Sequence, residues 1–401
     1  MREAYIYDAV RTPRGRGKPD GALYEVPPIQ LVVQLLHALR ERNNLDTNLV
    51  EDIILGCLTQ INEQASDIAK LAGQTAGYPV NVPGVTLDRF CASGLESVNM
   101  AAAYVMSGQI DLIIAGGVES MSRARLGANG GSWYTEPAVA YPGHYIPQGV
   151  AADLIATLYG YSRKDVDEYA VLSHQRAAAA QRAGKYNKSI VPVKDVNGFT
   201  ILDHDELVRP ETTVEGLAKL KPAFEAVGKA GFDKVALQRY PELDEIHHVH
   251  HAGNSSGLAD GAALVMIGSA QIAEKTGLKP RAKIRSFAVV GSEPTIMLTG
   301  PVPSSRKALE RAGLSVENID LFEVNEAFAA VVLYYMQEMN IPIEKVNVNG
   351  GAIALGHPIG ATGAMTLGKL LDELEERNLQ LGLCTLCVGG GMGITTIIER
   401  V

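Results

Sequence analysis

The chain has 401 residues, 46% apolar and 20% charged, with a net charge of −9. It is too long for one ordinary core and too acidic for nucleic acid to be its main partner. No apolar run reaches the roughly 18 residues of a membrane span, no signal-peptide h-region opens the chain, and four cysteines make no disulfide framework, so the cytoplasm is the expected compartment.

Short apolar runs alternate with helical patterns, as expected for buried parallel strands and crossover helices. Residues 4–9 read as a first strand. Over 29–40, Leu31, Val32, Leu35, Leu36 and Leu39 line one face of an amphipathic helix. Residues 52–58 and 86–90 read as strands, the second ending at Cys91. From there Leu95, Val98, Ala102 and Val105 recur at helical spacing, and 111–117 is a central strand with a Gly exit. From Ser122 to about His250 the composition changes. A Gly-rich stretch (127–131), the single Trp133, an Ala-rich helix over 173–183 and charged segments follow one another. A structureless loop of that length is implausible, so the segment reads as an inserted subdomain covering a ligand. The last third repeats the grammar of the first: a strand over 319–324, a helix over 327–339, a Gly-rich loop around His357, a helix through Leu367 and Leu371, and a strand over 381–388 ending in three glycines. Twice a reactive residue opens a helix and a strand closes in Gly-Gly, which reads as an internal duplication.

Cys91 follows a strand at a helix start, where free N–H groups and the helix dipole favour a thiolate, although a free Cys is otherwise a small buried hydrophobe. His357 lies between glycines and before Pro358, which pushes it out of helical conformation. Of nine histidines it best suits the base that a thiol nucleophile needs. Cys384 and Cys387 have a redox or metal spacing, but residues three apart on a strand face opposite ways, so Cys384 is expected in the core and Cys387 in the site. Asn325 begins a helix after a strand; its amide caps that helix or orients a water or carbonyl, and Glu326 is a candidate partner for His357. His247, His248, His250 and His251 divide between two faces of an extended chain, and residues 252–257 look like a ligand loop of small donors. A dinucleotide fingerprint is absent. Two thiols, an imidazole and Gly-rich backbone suit acyl transfer between thiols, with no metal.

Together these residues resemble the thiolases. Cys91-Ala-Ser-Gly, Gly116-Gly-Val-Glu-Ser-Met-Ser, Asn325-Glu-Ala-Phe, Gly356-His-Pro-Ile-Gly-Ala-Thr-Gly and Cys387-Val-Gly-Gly-Gly-Met-Gly stand in that family's order and spacing over essentially the whole chain. Asn254-Ser-Ser-Gly, Ala218-Lys-Leu-Lys-Pro-Ala-Phe and Leu202-Asp-His-Asp-Glu are similar to the branch that forms the β subunit of bacterial trifunctional fatty-acid oxidation complexes. The resemblance implies an α/β fold of two similar halves in five αβαβα layers. Residues 1–121, completed by 251–274, would form one half and 275–401 the other, with 122–250 as a loop domain over the site.

It further implies CoA-dependent thiolysis of 3-oxoacyl-CoA to acetyl-CoA and a shortened acyl-CoA, the alternative being condensation of two acetyl-CoA by a biosynthetic acetoacetyl-CoA thiolase. Coenzyme A is then a substrate and no cofactor is tightly bound. The implied partners are a second copy or three (homodimer or homotetramer) and a hydratase/dehydrogenase α subunit. By likeness, Cys91 is the acylated nucleophile, His357 activates it, and Cys387 is a second acid/base. Asn325 holds a water that completes one oxyanion hole with His357, and the N–H groups of Cys91 and Gly389 form the other. Arg209 matches a contact to the nucleotide end of CoA, and Ser256, Ala252 and Phe328 match positions along its pantetheine arm. The chain departs from the family in Gln148-Gly149, where many members have Met-Gly, in His251 for a Thr, and in a short 122–148 segment. All three lie around the acyl and pantetheine channel and bear on chain length.

Overall fold

The computed structural model describes residues 2–401. The first half comprises β1 (Tyr5–Arg11), α1 (Pro28–Arg42), β2 (Asp52–Gly56), α2 (Ile68–Thr75), β3 (Val85–Leu87), α3 (Ser93–Ser107) and β4 (Leu112–Ser120). A long excursion carries α4 (Gln148–Tyr159) and α5 (Arg163–Arg182) before β5 (Ala259–Gly268) rejoins the sheet. The second half runs β6 (Ala282–Gly291), α6 (Pro301–Ala312), β7 (Leu321–Val324), α7 (Ala329–Met339), α8 (Ile359–Glu376), β8 (Leu381–Val388) and β9 (Met392–Arg400).

The duplication read from the sequence is a duplication of topology. The first half orders its strands β3-β2-β4-β5-β1 and the second β7-β8-β9-β6. β2–β4 and β7–β8 are parallel, while β4–β5, β5–β1, β8–β9 and β9–β6 are antiparallel. A parallel bridge from Phe322 to Val346 stands where β2 pairs β3. The halves join edge to edge where β1 meets β6, Tyr5 opposite Lys283 and Ile6 opposite Ala282.

Burial sorts the helices into layers. Leu95, Val98, Leu367 and Leu371 of α3 and α8 share one apolar cluster with Ile54, Ala115, Leu386 and Ile394 from both sheets, so these two helices are the central layer. α1 packs Leu31, Leu35 and Leu39 on the outer face of the first sheet. α6 and α7 cover the second through Val302, Leu309 and Val331. The two halves of the sheet and three helical layers make the expected αβαβα stack, and because α8 is sandwiched, residues 359–374 are all buried. No helix among the described residues is long and apolar enough to cross a membrane.

Local boundaries differ from the sequence reading where tertiary contacts intervene. β3 stops at Leu87 rather than running to Phe90, because Phe90 takes a left-handed backbone (φ 48). α7 begins at Ala329 with extended Phe328 as its cap, so Asn325 caps nothing. α5 begins at Arg163, ahead of the Ala-rich stretch, at a capping box between Ser162 and Asp165.

Carboxylates pin the excursion to the body. Asp205 accepts two hydrogen bonds of 2.8 Å from the Arg11 guanidinium and one of 2.9 Å from Arg14 N, all three residues buried. Burial alone would raise the Asp205 pKa, but Arg11 and Arg14 outweigh it and hold the carboxyl below its ordinary range. The histidine cluster is distributed among separate acids. Asp153 of α4 accepts from His248 Nδ1 (2.7 Å) and His250 Nδ1 (2.8 Å), while Asp167 of α5 pairs with His251 Nε2 (2.8 Å). These bonds fix the segment leading into residues 252–257.

Asp205→Asn should destabilise the fold by roughly 3–5 kcal/mol in urea denaturation, because the buried Arg11 charge loses its counter-ion. Since the folded carboxyl titrates below its unfolded value, the contribution is present above pH ~4 and is lost as pH falls through the folded value. The variant should therefore show a shallower acid limb of stability.

Candidate active site

Cys91 stands on a tight turn between β3 and α3. Phe90 N donates to Asp88 Oδ1 (2.7 Å), Arg89 N donates to Ser93 Oγ (2.8 Å), and Ser93 Oγ donates to Phe90 O (2.7 Å). These bonds hold Phe90 in its left-handed conformation, worth about 1–3 kcal/mol of local strain. The first helical residue is Ser93, so Cys91 precedes the helix rather than opening it. The thiolate expected from the helix start is not what the environment favours. Burial pushes the Cys91 thiol up to about 11, opposed by hydrogen bonding from Gly389 N–H, the Gln148 amide and its own N–H.

His357 is held from both sides. Its N–H donates to Gly257 O (2.9 Å), and its Nδ1 lies 2.6 Å from Thr362 Oγ1. Thr362 donates its single proton to Pro358 O (2.9 Å), so it accepts from Nδ1–H and leaves Nε2 bare. Asn325 Nδ2 donates toward that bare nitrogen at 3.4 Å. Burial, reinforced by Arg14, pushes His357 down to about 3, so near neutrality it is an uncharged imidazole whose unprotonated Nε2 is an acceptor.

Glu326 does not orient His357. It accepts from Tyr169 OH (2.8 Å), Ser173 Oγ (2.6 Å) and Ile353 N (3.0 Å), tying α5 to the loop before α8. Thr362 takes the orienting role. It escaped the sequence reading, although a Thr in the first turn of the helix that follows the His is a recognisable signal. Glu119 was also missed. Fully buried at the end of β4, it accepts from Leu58 N (2.9 Å), Thr59 N (3.1 Å), Gln64 Nε2 (3.0 Å) and Gly360 N (3.0 Å), so it joins the first half to the start of α8.

Cys387 lies within β8, fully buried. Burial and then the nearby Cys91 sulfur raise its thiol, which stays protonated near neutrality. Cys384 packs into the central layer on the opposite face of the strand. Among the described residues no group of three or more His, Cys, Asp or Glu is placed to hold a metal.

A cavity of about 930 Å³ opens over Cys91. Cys91, His357, Gly389, Ser256 and Phe328 line it, while Cys387 and Asn325 are buried and are not among the lining residues. Arg209 and Ala252 are exposed and lie outside it. Phe90 and Trp133 stack at 6.0 Å and Trp133 and Tyr145 at 5.3 Å, forming an aromatic wall. None of the lining residues is Lys, Arg, Asp or Glu. The arrangement offers a buried thiol, a neutral base, a second thiol nearby and backbone donors beside a cavity without charged lining residues, which is the equipment of acyl transfer.

In NMR of imidazole-labelled protein, His357 should show the Nδ1–H tautomer and no titration between pH 5 and 8, protonating only near pH 3. Thr362→Val should abolish the fixed tautomer, and Thr362→Ser should retain it.

Residues 4–231 match the thiolase N-terminal domain and residues 278–400 the thiolase C-terminal domain. The chain is 41% identical over 408 residues to a 3-ketoacyl-CoA thiolase of Aeromonas hydrophila, all of both chains being covered. It is 42% identical over 423 residues to a 3-oxoadipyl-CoA/3-oxo-5,6-dehydrosuberyl-CoA thiolase of Escherichia coli, again with both covered in full. The crystal structure of the Bacillus anthracis acetyl-CoA acetyltransferase superimposes with a TM-score of 0.86 at 36% identity, covering 100% of this chain and 99% of that one. The five motifs, the five-layered fold and the full-length relatives agree: the chain belongs to the thiolase family.

Proposed function

We propose that this thiolase cleaves 3-oxoacyl-CoA with free CoA, releasing acetyl-CoA and an acyl-CoA two carbons shorter. The carrying observation is that Cys91 and a neutral, bare His357 Nε2 share one cavity from which charged residues are absent. In this reading Cys91 Sγ–H gives its proton to His357 Nε2 as the Sγ–C3 bond forms and the keto oxygen becomes an oxyanion. The N–H groups of Cys91 and Gly389, and His357 with an Asn325-held water, hold the oxyanions of the two half-reactions, each donor worth about 3 kcal/mol. Collapse breaks the C2–C3 bond, and Cys387 protonates the departing acetyl-CoA enolate. Cys387 thiolate then takes the proton of incoming CoA, whose sulfur displaces Cys91 from the acyl group, and His357 returns the proton to Cys91. Burial keeps Cys387 protonated at rest, so that it has a proton to give.

Ser256 and Phe328 would flank the pantetheine arm inside the cavity, with Ala252 and Arg209 along its exposed outer part; their positions support that order. Residues 122–250 would act as the covering domain. A homodimer or homotetramer in the cytoplasm and a hydratase/dehydrogenase partner complete the proposal. The apolar walls favour a neutral acyl tail, since a terminal carboxylate there would be buried without a counter-charge.

The test is CoA-dependent thiolysis of 3-oxoacyl-CoAs of graded length, with 3-oxoadipyl-CoA alongside. Turnover should rise with neutral chain length and fall by roughly 10⁴-fold or more in Cys91→Ala. Activity confined to acetoacetyl-CoA would move the chain to the condensation reading, and a preference for 3-oxoadipyl-CoA would overturn the neutral-tail assignment.

A further inference from the structure

Trp133, the only tryptophan in the chain, sits where three segments meet at the cavity over the reactive thiol. It stacks on Phe90, the residue before Cys91, with ring centroids 6.0 Å apart and planes within 3°. It also packs on Gly390: a Cβ there would collide with the indole Cη2, so only glycine leaves the indole its seat. The Phe90 ring in turn flanks Gly389. The indole thus covers both loops whose N–H groups, those of Cys91 and Gly389, are the expected oxyanion donors.

The segment that carries this indole has fixed ends and a loose middle. Before it, Ser122 N donates to Asp260 Oδ1 (2.9 Å) and Arg123 Nε to Glu63 Oε2 (2.6 Å); after it, Ile146 is fully buried. Between these anchors most of residues 125–145 are exposed. Among the described residues, one hydrogen bond ties this strap to the rest of the chain, from Asn129 Nδ2 to Leu58 O (3.2 Å). Tyr145 stacks on Trp133 and Tyr134 meets Tyr145 edge-on, so the strap carries its own aromatic cluster. Gly127, Gly130 and Gly131, all at positive φ, precede the indole and supply a hinge.

We propose that Trp133 is the roof of a hinged strap that lifts to admit substrate and closes on acyl-Cys91 to keep water from its thioester. Water is the competitor of CoA at that step. Its oxygen adds to the acyl carbonyl, the C–Sγ bond breaks, the carboxylic acid leaves, and Cys91 Sγ takes the proton. An indole offers water no acceptor, and its apolar face over the donors excludes water from that side of the carbonyl. The stack on Phe90 favours the closed strap, and one aromatic pair is weak enough to part in each turnover. The proposal rests on Cys91 being the acylated thiol.

The test isolates the acyl-enzyme. Wild type, Trp133→Ala and Trp133→Phe are treated with 3-oxooctanoyl-CoA without free CoA and desalted. Loss of the hexanoyl mass from the Cys91 peptide is then followed by mass spectrometry. Hydrolysis should quicken roughly tenfold in Trp133→Ala, because the open strap gains what one aromatic pair had held back. Trp133→Phe keeps a ring and should stay within about twofold of wild type. In wild type the indole is its own reporter: acrylamide quenching of its fluorescence should fall roughly twofold on acylation, as the closed population grows. That readout decides the matter if the Ala variant does not fold. Equal hydrolysis in the three folded proteins, or quenching unmoved by acylation, would overturn the proposal and leave the functional reading standing. Absence of acyl mass on Cys91 with every 3-oxoacyl-CoA would overturn both.

Discussion

The site depends on two helices meeting at their N-terminal ends with nothing but backbone between them. A Cβ on Gly117 would collide with the Gly360 carbonyl oxygen, and one on Gly94 would press on the same carbonyl. Only glycine permits α3, α8 and the end of β4 to close to that distance. Glu119 then spans the junction, holding Leu58 N and Thr59 N on one side and Gly360 N on the other. Because α3 follows Cys91 and α8 follows His357, the contact that builds the central layer also brings the two reactive loops to one cavity.

Burial dominates the electrostatics of that cavity. It raises both thiols and lowers the imidazole, so the resting site is uncharged. Elsewhere in the interior some charges are paired, as in Arg11 with Asp205 and Lys369 with Glu323 at 2.9 Å. In a neutral site the hydrogen-bond donors gain most when charge develops on sulfur or oxygen, because a low-dielectric pocket strengthens that interaction.

The excursion between β4 and β5 supplies the walls and the clamps. Trp133 and Tyr145 extend the aromatic face begun by Phe90. The buried Asp153 and Asp167 fix the chain from His248 to Asn254 against α4 and α5. Pocket shape and the placing of the 252–257 loop thus rest on polar networks rather than on continuous sheet, so acyl specificity can vary here without disturbing the core.

Much of the fold was legible in the residues themselves. The 3.6-residue stripe of Leu31, Leu35 and Leu39 and the apolar run over 381–388 report one helix and one strand, because burial on one face or two leaves its period in the chain. The recurrence of reactive residue, helix, strand and Gly-Gly reported the two halves. What the sequence could not decide is which polar groups meet. Glu326 follows Asn325 but turns away to Tyr169 and Ser173, while Thr362 holds His357. Cys91 stands at a helix start, yet burial opposes the thiolate that its position suggests. Periodicity is a local property and survives in one dimension. Hydrogen-bond partners, tautomers and thiol acidity depend on which distant segments exclude water from the same point, and only tertiary packing sets that.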